Sequence, residues 1–366
     1  MIKKILSRIL SSTLVLISYL LSFFNASADD LYIVGGVNKG LSGSESFGGS
    51  GGFGGDDGAL FFKPYAEGML TGIVSLNQGY DTLIDYGMFE AKSSLDSGAL
   101  SAFAATNGGS SKYNTGSHID VDGFSFVGGV AKGFNLSNGN TLVAAAFAEA
   151  GLGDFDTFNS FNNAPSVYGG GDTEYYGGGV MGSYELASGI YTEASVRAGY
   201  TETDFSSANI NGQPASYDTD SLYYGAAGGA GYRHQLKPNW ELNSYAKLIW
   251  THQEGDKIAV NSNRIKFDDI DSLRSRLGMR LSYYQPCSYY SPYIGAAWEH
   301  EYKGKAEIRV NGIKEDSPTL KGDTGIFEAG VMMNTPLKGL TFDVGGQGYV
   351  GLRKGWTAHL SLRKVF

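Results

Sequence analysis

The chain lacks what several large classes of protein require. A single cysteine, Cys287, leaves no intramolecular disulfide available, and its thiol reads as an inert group in a short turn. Cations are scarce, with 28 Lys and Arg against 37 Asp and Glu and a net charge of −9. A chain of this sign repels a phosphate backbone, so no nucleic acid is expected among its partners. The five histidines (His118, His234, His252, His300 and His359) are scattered without metal-ligand spacing, which argues against a zinc site, and no cofactor is expected. His118 lies near Asp120 and Asp122, but no second catalytic group stands at a readable spacing, so no catalytic residue is assigned and no enzyme is expected. Beyond residue 28 no uncharged apolar run reaches the length of a membrane-spanning helix.

What the chain does have is glycine (54 residues), aromatics (13%) and a segmented pattern. Lys3, Lys4 and Arg8 precede an apolar stretch from Ile9 to Phe24, followed by the small-residue triplet Ala26-Ser27-Ala28. This has the form of a secretory signal peptide over residues 1–28, whose removal makes the mature chain more acidic still. Residues 29–62 are polar and glycine-rich and read as a flexible linker without a core. Over 63–92, Pro64 suits a first helical turn, and Met69, Ile73, Leu76, Tyr80, Leu83 and Ile84 recur at helical steps. Gly68, Gly72 and Gly79 weaken that helix by about 1 kcal/mol each relative to alanine, so something outside must hold it, and the small residues suit a narrow space.

From about residue 97 the chain reads as strands. Twelve are expected, near 97–106, 121–134, 140–151, 173–186, 189–201, 221–234, 239–251, 272–284, 289–302, 323–334, 339–350 and 355–366. Long connections (107–120, 152–172, 202–220, 252–271, 303–322) alternate with short ones, as in outer-membrane barrels with external loops and periplasmic turns. The last hairpin, at Arg353-Lys354-Gly355, is the exception, external by count yet short. The final strand places Trp356, Ala358, Leu360, Leu362 and Phe366 on one face and Thr357, His359, Ser361 and Arg363 on the other. In the strand near 239–251, Trp240 and Trp250 end an apolar face of about 25 Å, the height of the hydrocarbon band, so one indole sits at each interface; Trp298 and Trp356 complete the aromatic girdle.

The opposite faces describe the lumen. Glu193 and Arg197, then Arg274, Arg276 and Arg280, then Glu299 and Glu301 alternate with lipid-compatible residues. Arginine facing lipid near the midplane costs roughly 2–4 kcal/mol, so these charges point inward, and hairpin parity allows Arg274 to neighbour Glu299 or Glu301. Whether they serve only the wall or also transport stays open. The acidic groups Asp154/Asp156, Asp218/Asp220 and Asp268/Asp269/Asp271 fall at external ends, as solvated loop charge or as bridges to lipopolysaccharide through divalent cations.

Several stretches together resemble the autotransporter translocator family of type V secretion. They are Ala66-Glu67-Gly68-Met69 with Leu76-Asn77-Gln78-Gly79 and Asp81, the run Tyr113 to Gly123, Tyr175-Tyr176-Gly177-Gly178-Gly179, Ser291 to Glu301, and Gly346 to Gly351. The likeness covers roughly residues 65–366. It implies an all-β transmembrane barrel of twelve antiparallel strands over 93–366, with an N-terminal α-helix over 63–92 threading the lumen through Met69, Ile73, Leu76, Asn77 and Tyr80. It also implies an outer-membrane protein of a Gram-negative bacterium, a monomer that carries an N-terminal passenger to the cell surface. The implied partners are outer-membrane lipid and lipopolysaccharide, periplasmic chaperones, and the barrel assembly machinery that reads the last strand at Leu360, Leu362 and Phe366. Lys364 departs from the apolar residue usual two before the end, and is expected to snorkel at the rim. Asn77-Gln78 departs from the Asn-Asn junction of self-cleaving members, and that activity is not carried over. Only residues 29–62 stand where a passenger is expected, so a passenger-poor translocator, a remnant, and a passive plugged channel are alternatives.

Overall fold

The computed structural model describes residues 62–92, 100–161, 164–210, 212–284, 289–315 and 317–366. The signal-peptide and linker readings, apart from residue 62, and Cys287 lie outside the described residues.

Period-two alternation produces a closed barrel. The wall strands are β1 (Leu100–Asn114), β2 (His118–Asn135), β3 (Thr141–Phe161), β4 (Ala164–Glu185), β5 (Ile190–Ile210), β6 (Gln213–Lys237) and β7 (Trp240–Gln253). They continue through β10 (Ile270–Tyr283), β11 (Tyr290–Glu301), β14 (Gly322–Asn334), β15 (Leu340–Gly351) and β16 (Arg353–Val365). These twelve close in the order β1-β16-β15-β14-β11-β10-β7-β6-β5-β4-β3-β2, each antiparallel to its neighbours. The last strand pairs with the first from Ser101↔Val365 to Tyr113↔Arg353. Closure leaves no strand edge to satisfy in lipid, where unpaired backbone groups cost several kcal/mol each. In β16, Thr357, His359, Ser361 and Arg363 are buried inward, while Trp356 is exposed on the outside.

All twelve expected strands are present, but the expected loops 107–120, 152–172 and 202–220 are corrected: they are largely strand. β3, β4, β5 and β6 run for 21, 22, 21 and 25 residues, whereas β10 has 14 and β11 has 12. At about 3.3 Å per residue and a tilt near 40°, a 21-residue strand rises roughly 50 Å, twice the hydrocarbon band. The barrel therefore has one tall side. The extensions look like loops in sequence because their outer positions are wet rather than greasy. Asp122, Asp154, Asp172, Asp204 and Asp218 stand directly opposite one another across β2 to β6 on that outer surface.

The expected loops 252–271 and 303–322 also hold strands. β8 (Lys257–Val260), β9 (Asn263–Phe267), β12 (Ile308–Val310) and β13 (Ile313–Lys314) form a separate sheet in the order β13-β12-β9-β8. Positive φ at Asn261 and Ser262, and at Asn311 and Gly312, gives the left-handed turns that match the twist of tight hairpins. Val260, Ile265, Phe267, Ile308 and Val310 lie in one apolar cluster with Tyr65, Met69, Phe205 and Tyr217. The small sheet thus packs as a lid over the long-strand end of the barrel.

Inside lies the helix, α1 (Lys63–Asp81), a π-helical turn (Thr82–Gly87) and α2 (Met88–Lys92). Every residue of α1 except Lys63 is buried. The π turn is not visible in the three- and four-residue spacing of the sequence.

Candidate functional site: the plugged lumen

The lumen wall is lined with arginines, and buried charge is tolerated only when matched. The match comes from both sides. Strand register sets Arg274 opposite Glu301 and Arg276 opposite Glu299. The helix adds Asp81 and, one turn on, Asp85. Arg276 reaches Asp85 at 2.7 Å, Asp81 at 2.7 Å and Glu299 at 2.6 Å. Asp81 also receives Arg274 at 2.8 Å and Arg353 of β16 at 3.2 Å. One helical carboxylate thus ties the closing strand, β16, to β10, four strands further round the wall.

Above and below this network the helix is held by further polar contacts. Arg197 donates to the Leu76 carbonyl at 2.8 Å, pairs with Glu149 at 3.2 Å and lies 4.0 Å from the Tyr80 ring centre. Glu67 accepts from Thr115, Ser117 and Asn159 at 2.8, 2.6 and 2.5 Å. At the short-turn end, Lys92 and Lys247 meet Glu193 at 2.6 and 3.0 Å, and Ser361 donates to Glu90 at 2.6 Å. Arg280 stands apart from the central network, on Glu328 at 2.7 Å.

Of the helix positions singled out in sequence, Met69, Ile73 and Leu76 are fully buried. Asn77 donates to Ser272 Oγ at 3.0 Å, and Ser272 donates to Glu301 at 2.5 Å. The Tyr80 hydroxyl lies 3.1 Å from Ser195 Oγ. Close approach depends on missing side chains: a Cβ at Gly68 would stand 2.3 Å from the Tyr217 hydroxyl, and one at Gly79 would stand 2.0 Å from that of Tyr175. On the outer surface Trp240 packs on Tyr283 with ring centres 4.8 Å apart. Trp250 and Trp298 donate their indole N–H to Asp271 and Asp323, and Trp356 is exposed. Leu360 and Leu362 are outward and half-buried; Phe366 is exposed, its N–H bonded to the Leu100 carbonyl. Lys364 donates to the Lys338 carbonyl in the adjacent turn.

Asp85, Glu149 and Arg353 were not singled out in sequence. The legible signal for the helical pair was Asp81 and Asp85, spaced i,i+4 and the sole charged residues between Glu67 and Glu90. Nothing in a strand's alternation tells which helix residue its arginine will meet.

A closed barrel with a charge-locked helix in its bore defines a class, the plugged outer-membrane barrel. Comparison narrows it: residues 101–347 match the model of the autotransporter beta-domain, and the chain belongs to that family. It is 28% identical over 185 residues to the pertactin autotransporter of Bordetella bronchiseptica, covering 50% of this chain and 20% of that protein. The BrkA autotransporter of Bordetella pertussis is 26% identical over 151 residues, covering 40% and 15%. The chain therefore spans about a fifth or less of the length of the curated relatives it matches. Among solved structures, the beta domain of Bordetella BrkA superposes with a TM-score of 0.61 at 19% identity, covering 73% of this chain and 100% of that one. The translocator domain of NalP from Neisseria meningitidis gives 0.60 at 12% identity, covering 80% and 98%. This protein is an outer-membrane translocator barrel.

Proposed function

We propose that the barrel exports or anchors the chain upstream of residue 62 at the surface of a Gram-negative cell, after a signal peptide over residues 1–28 has directed it across the inner membrane. The polarity of the helix carries this reading. Its start is at the long-strand end, where Lys63 donates to Ser117 in the β1–β2 turn and the Tyr65 carbonyl accepts from Tyr217. Its end is at the short-turn end, with Lys92 on Glu193 near the start of β5. A chain entering the helix must therefore come from the external side, and one leaving it toward β1 starts from the periplasmic side. Lipid, lipopolysaccharide, periplasmic chaperones and the barrel assembly machinery are the partners this role requires, with the barrel acting as a monomer.

The test is an epitope inserted after Gly52 in the full chain expressed in a Gram-negative host. Protease added to intact cells should remove the epitope and leave the barrel intact. Protection of the epitope in intact cells, with cleavage only after lysis, would reverse the proposed polarity.

A further inference from the structure

The lid sheet inverts the charge of the protein that carries it. Its inner face is apolar, as described; its outer face presents Lys257, Arg264, Lys266, Arg309 and Lys314, all exposed. Four of these form one row. Lys257 is directly opposite Lys266, Lys266 opposite Arg309, and Arg309 opposite Lys314. Like charges directly opposite on neighbouring strands are destabilising, and a surface that needed only solubility would mix signs. Lysines do guard exposed sheet edges, which accounts for Lys257 on β8 and Lys314 on β13. It does not account for Lys266 and Arg309, which lie on the two central strands.

Two carboxylates answer the row in part. Asp268 is 2.6 Å from Lys266 and 3.1 Å from Arg309, and Glu307 is 2.6 Å from Lys314 and 3.0 Å from Lys305. Hydrogen bonds from Lys314 and then Lys305 hold the Glu307 carboxyl below the usual glutamate range. Among the described residues, Lys257 and Arg264 have no ion-pair partner. The strands of the lid carry five cations and no carboxylate, while Asp256, Asp268, Asp269, Glu307 and Glu315 stand with Lys305 beyond the strand ends, on a protein whose net charge is −9.

We propose that the outer face of the lid is a binding surface for the phosphorylated saccharide of the glycolipid leaflet around the barrel. Three strand spacings spread the row over about 14 Å, too far for its cations to converge on one small anion, so the ligand carries several anionic groups. Guanidinium and ammonium donors at this spacing suit phosphates along a saccharide. A surface barrel meets that chemistry permanently and at high local concentration, and the acidic outer wall of β2 to β6 leaves the lid as the favourable place for it. The inference rests on the long-strand end being external, which the epitope experiment decides by itself; the binding measurement below does not depend on sidedness.

The whole barrel, in nanodiscs of phosphatidylcholine, is titrated with a lipid-free phosphorylated core oligosaccharide and with the same oligosaccharide after phosphatase treatment. The phosphorylated form should bind at least about tenfold more tightly, and its affinity should fall as salt shortens the screening length from about 10 Å at 0.1 M to about 3 Å at 1 M. Combining Lys257→Gln, Lys266→Gln, Arg309→Gln and Lys314→Gln should lose at least tenfold in affinity. Combining Lys257→Arg, Lys266→Arg and Lys314→Arg should retain it, separating charge from lid integrity. Equal binding of the two oligosaccharides, full binding by the glutamine variant, or tighter binding of poly-glutamate than of the phosphorylated saccharide would each overturn the assignment, the last in favour of an acidic polypeptide.

Discussion

Asp81 is the residue on which most of the lumen's charge converges. It accepts from Arg274 and Arg276 on β10 and from Arg353 on β16. Breaking a buried pair by removing one partner costs about 3–5 kcal/mol, because the remaining charge stays buried and unpaired. Asp81→Asn should therefore loosen the helix without dissolving the wall, seen as raised single-channel conductance and a lower melting temperature of the barrel; unchanged conductance would show that the wall alone excludes ions. Gly79→Ala makes a second prediction at this scale. Helix propensity alone favours alanine by about 1 kcal/mol, but its Cβ would overlap the Tyr175 ring and hydroxyl. The net effect should be destabilising, and Tyr175→Ala should relieve it in the double variant. Additivity of the two single losses would mean the groups do not meet. The inward direction of Arg274, Arg276, Glu299 and Glu301 was legible from alternation. Their helical partners were not, because the rotation of the helix within the bore is fixed by packing, and an extra residue in the π turn rotates everything after it by about 100°.

Among elements, strand existence was easier to read than strand length. Alternation in β7 and β10 stands out because one face is greasy; in β3 to β6 the same alternation continues past the membrane with Asp on the outside, and the apolar contrast disappears. The lid was hidden for a related reason. Its strands are two to five residues long, below the window in which a period can be distinguished from chance, and β9 pairs with β12 across some forty residues of intervening chain. The closing strand makes its own prediction. Phe366 contributes a backbone bond to Leu100 and an exposed ring; removing it costs the seam roughly one hydrogen bond, about 1 kcal/mol. Stability should change little while the rate of assembly in cells falls, measured by the appearance of heat-modifiable barrel after a pulse of synthesis. A normal rate would leave the terminal aromatic without a role in assembly.

At the scale of the whole molecule, the outer surface divides at the aromatic girdle and the inner surface does not. Ala246 faces outward, in an apolar hollow with Leu277, Met279 and Trp298. Ala246→Arg should destabilise by about 2–4 kcal/mol at mid-membrane depth. Asn243→Arg, on the lumen face of the same strand, forfeits the hydrogen bond accepted from Tyr191, about 1 kcal/mol, and adds repulsion from Arg233 and Arg280 directly opposite, less than about 1 kcal/mol for each pair in a wet lumen. The total should stay below the cost of the lipid-facing arginine. Urea unfolding of both variants in vesicles gives the comparison, and equal losses would contradict the assigned inside and outside. Composition, signal-like start and loop rhythm made the barrel legible as a whole, while the tall side and the lid emerged only once the strands were placed.

The tether between helix and wall sets a limit on motion. Lys92 at the end of the plug and Leu100 at the start of β1 are eight residue steps apart, and fully stretched chain spans at most about 28 Å over that distance. The thirty-residue rod is about 45 Å long. Treated as a piston, the plug has a stroke shorter than its own length: pulled outward until the leash is taut, it still leaves about three helical turns in the bore. The barrel can slacken its seal and reset it, but an intact rod can never be blown clear.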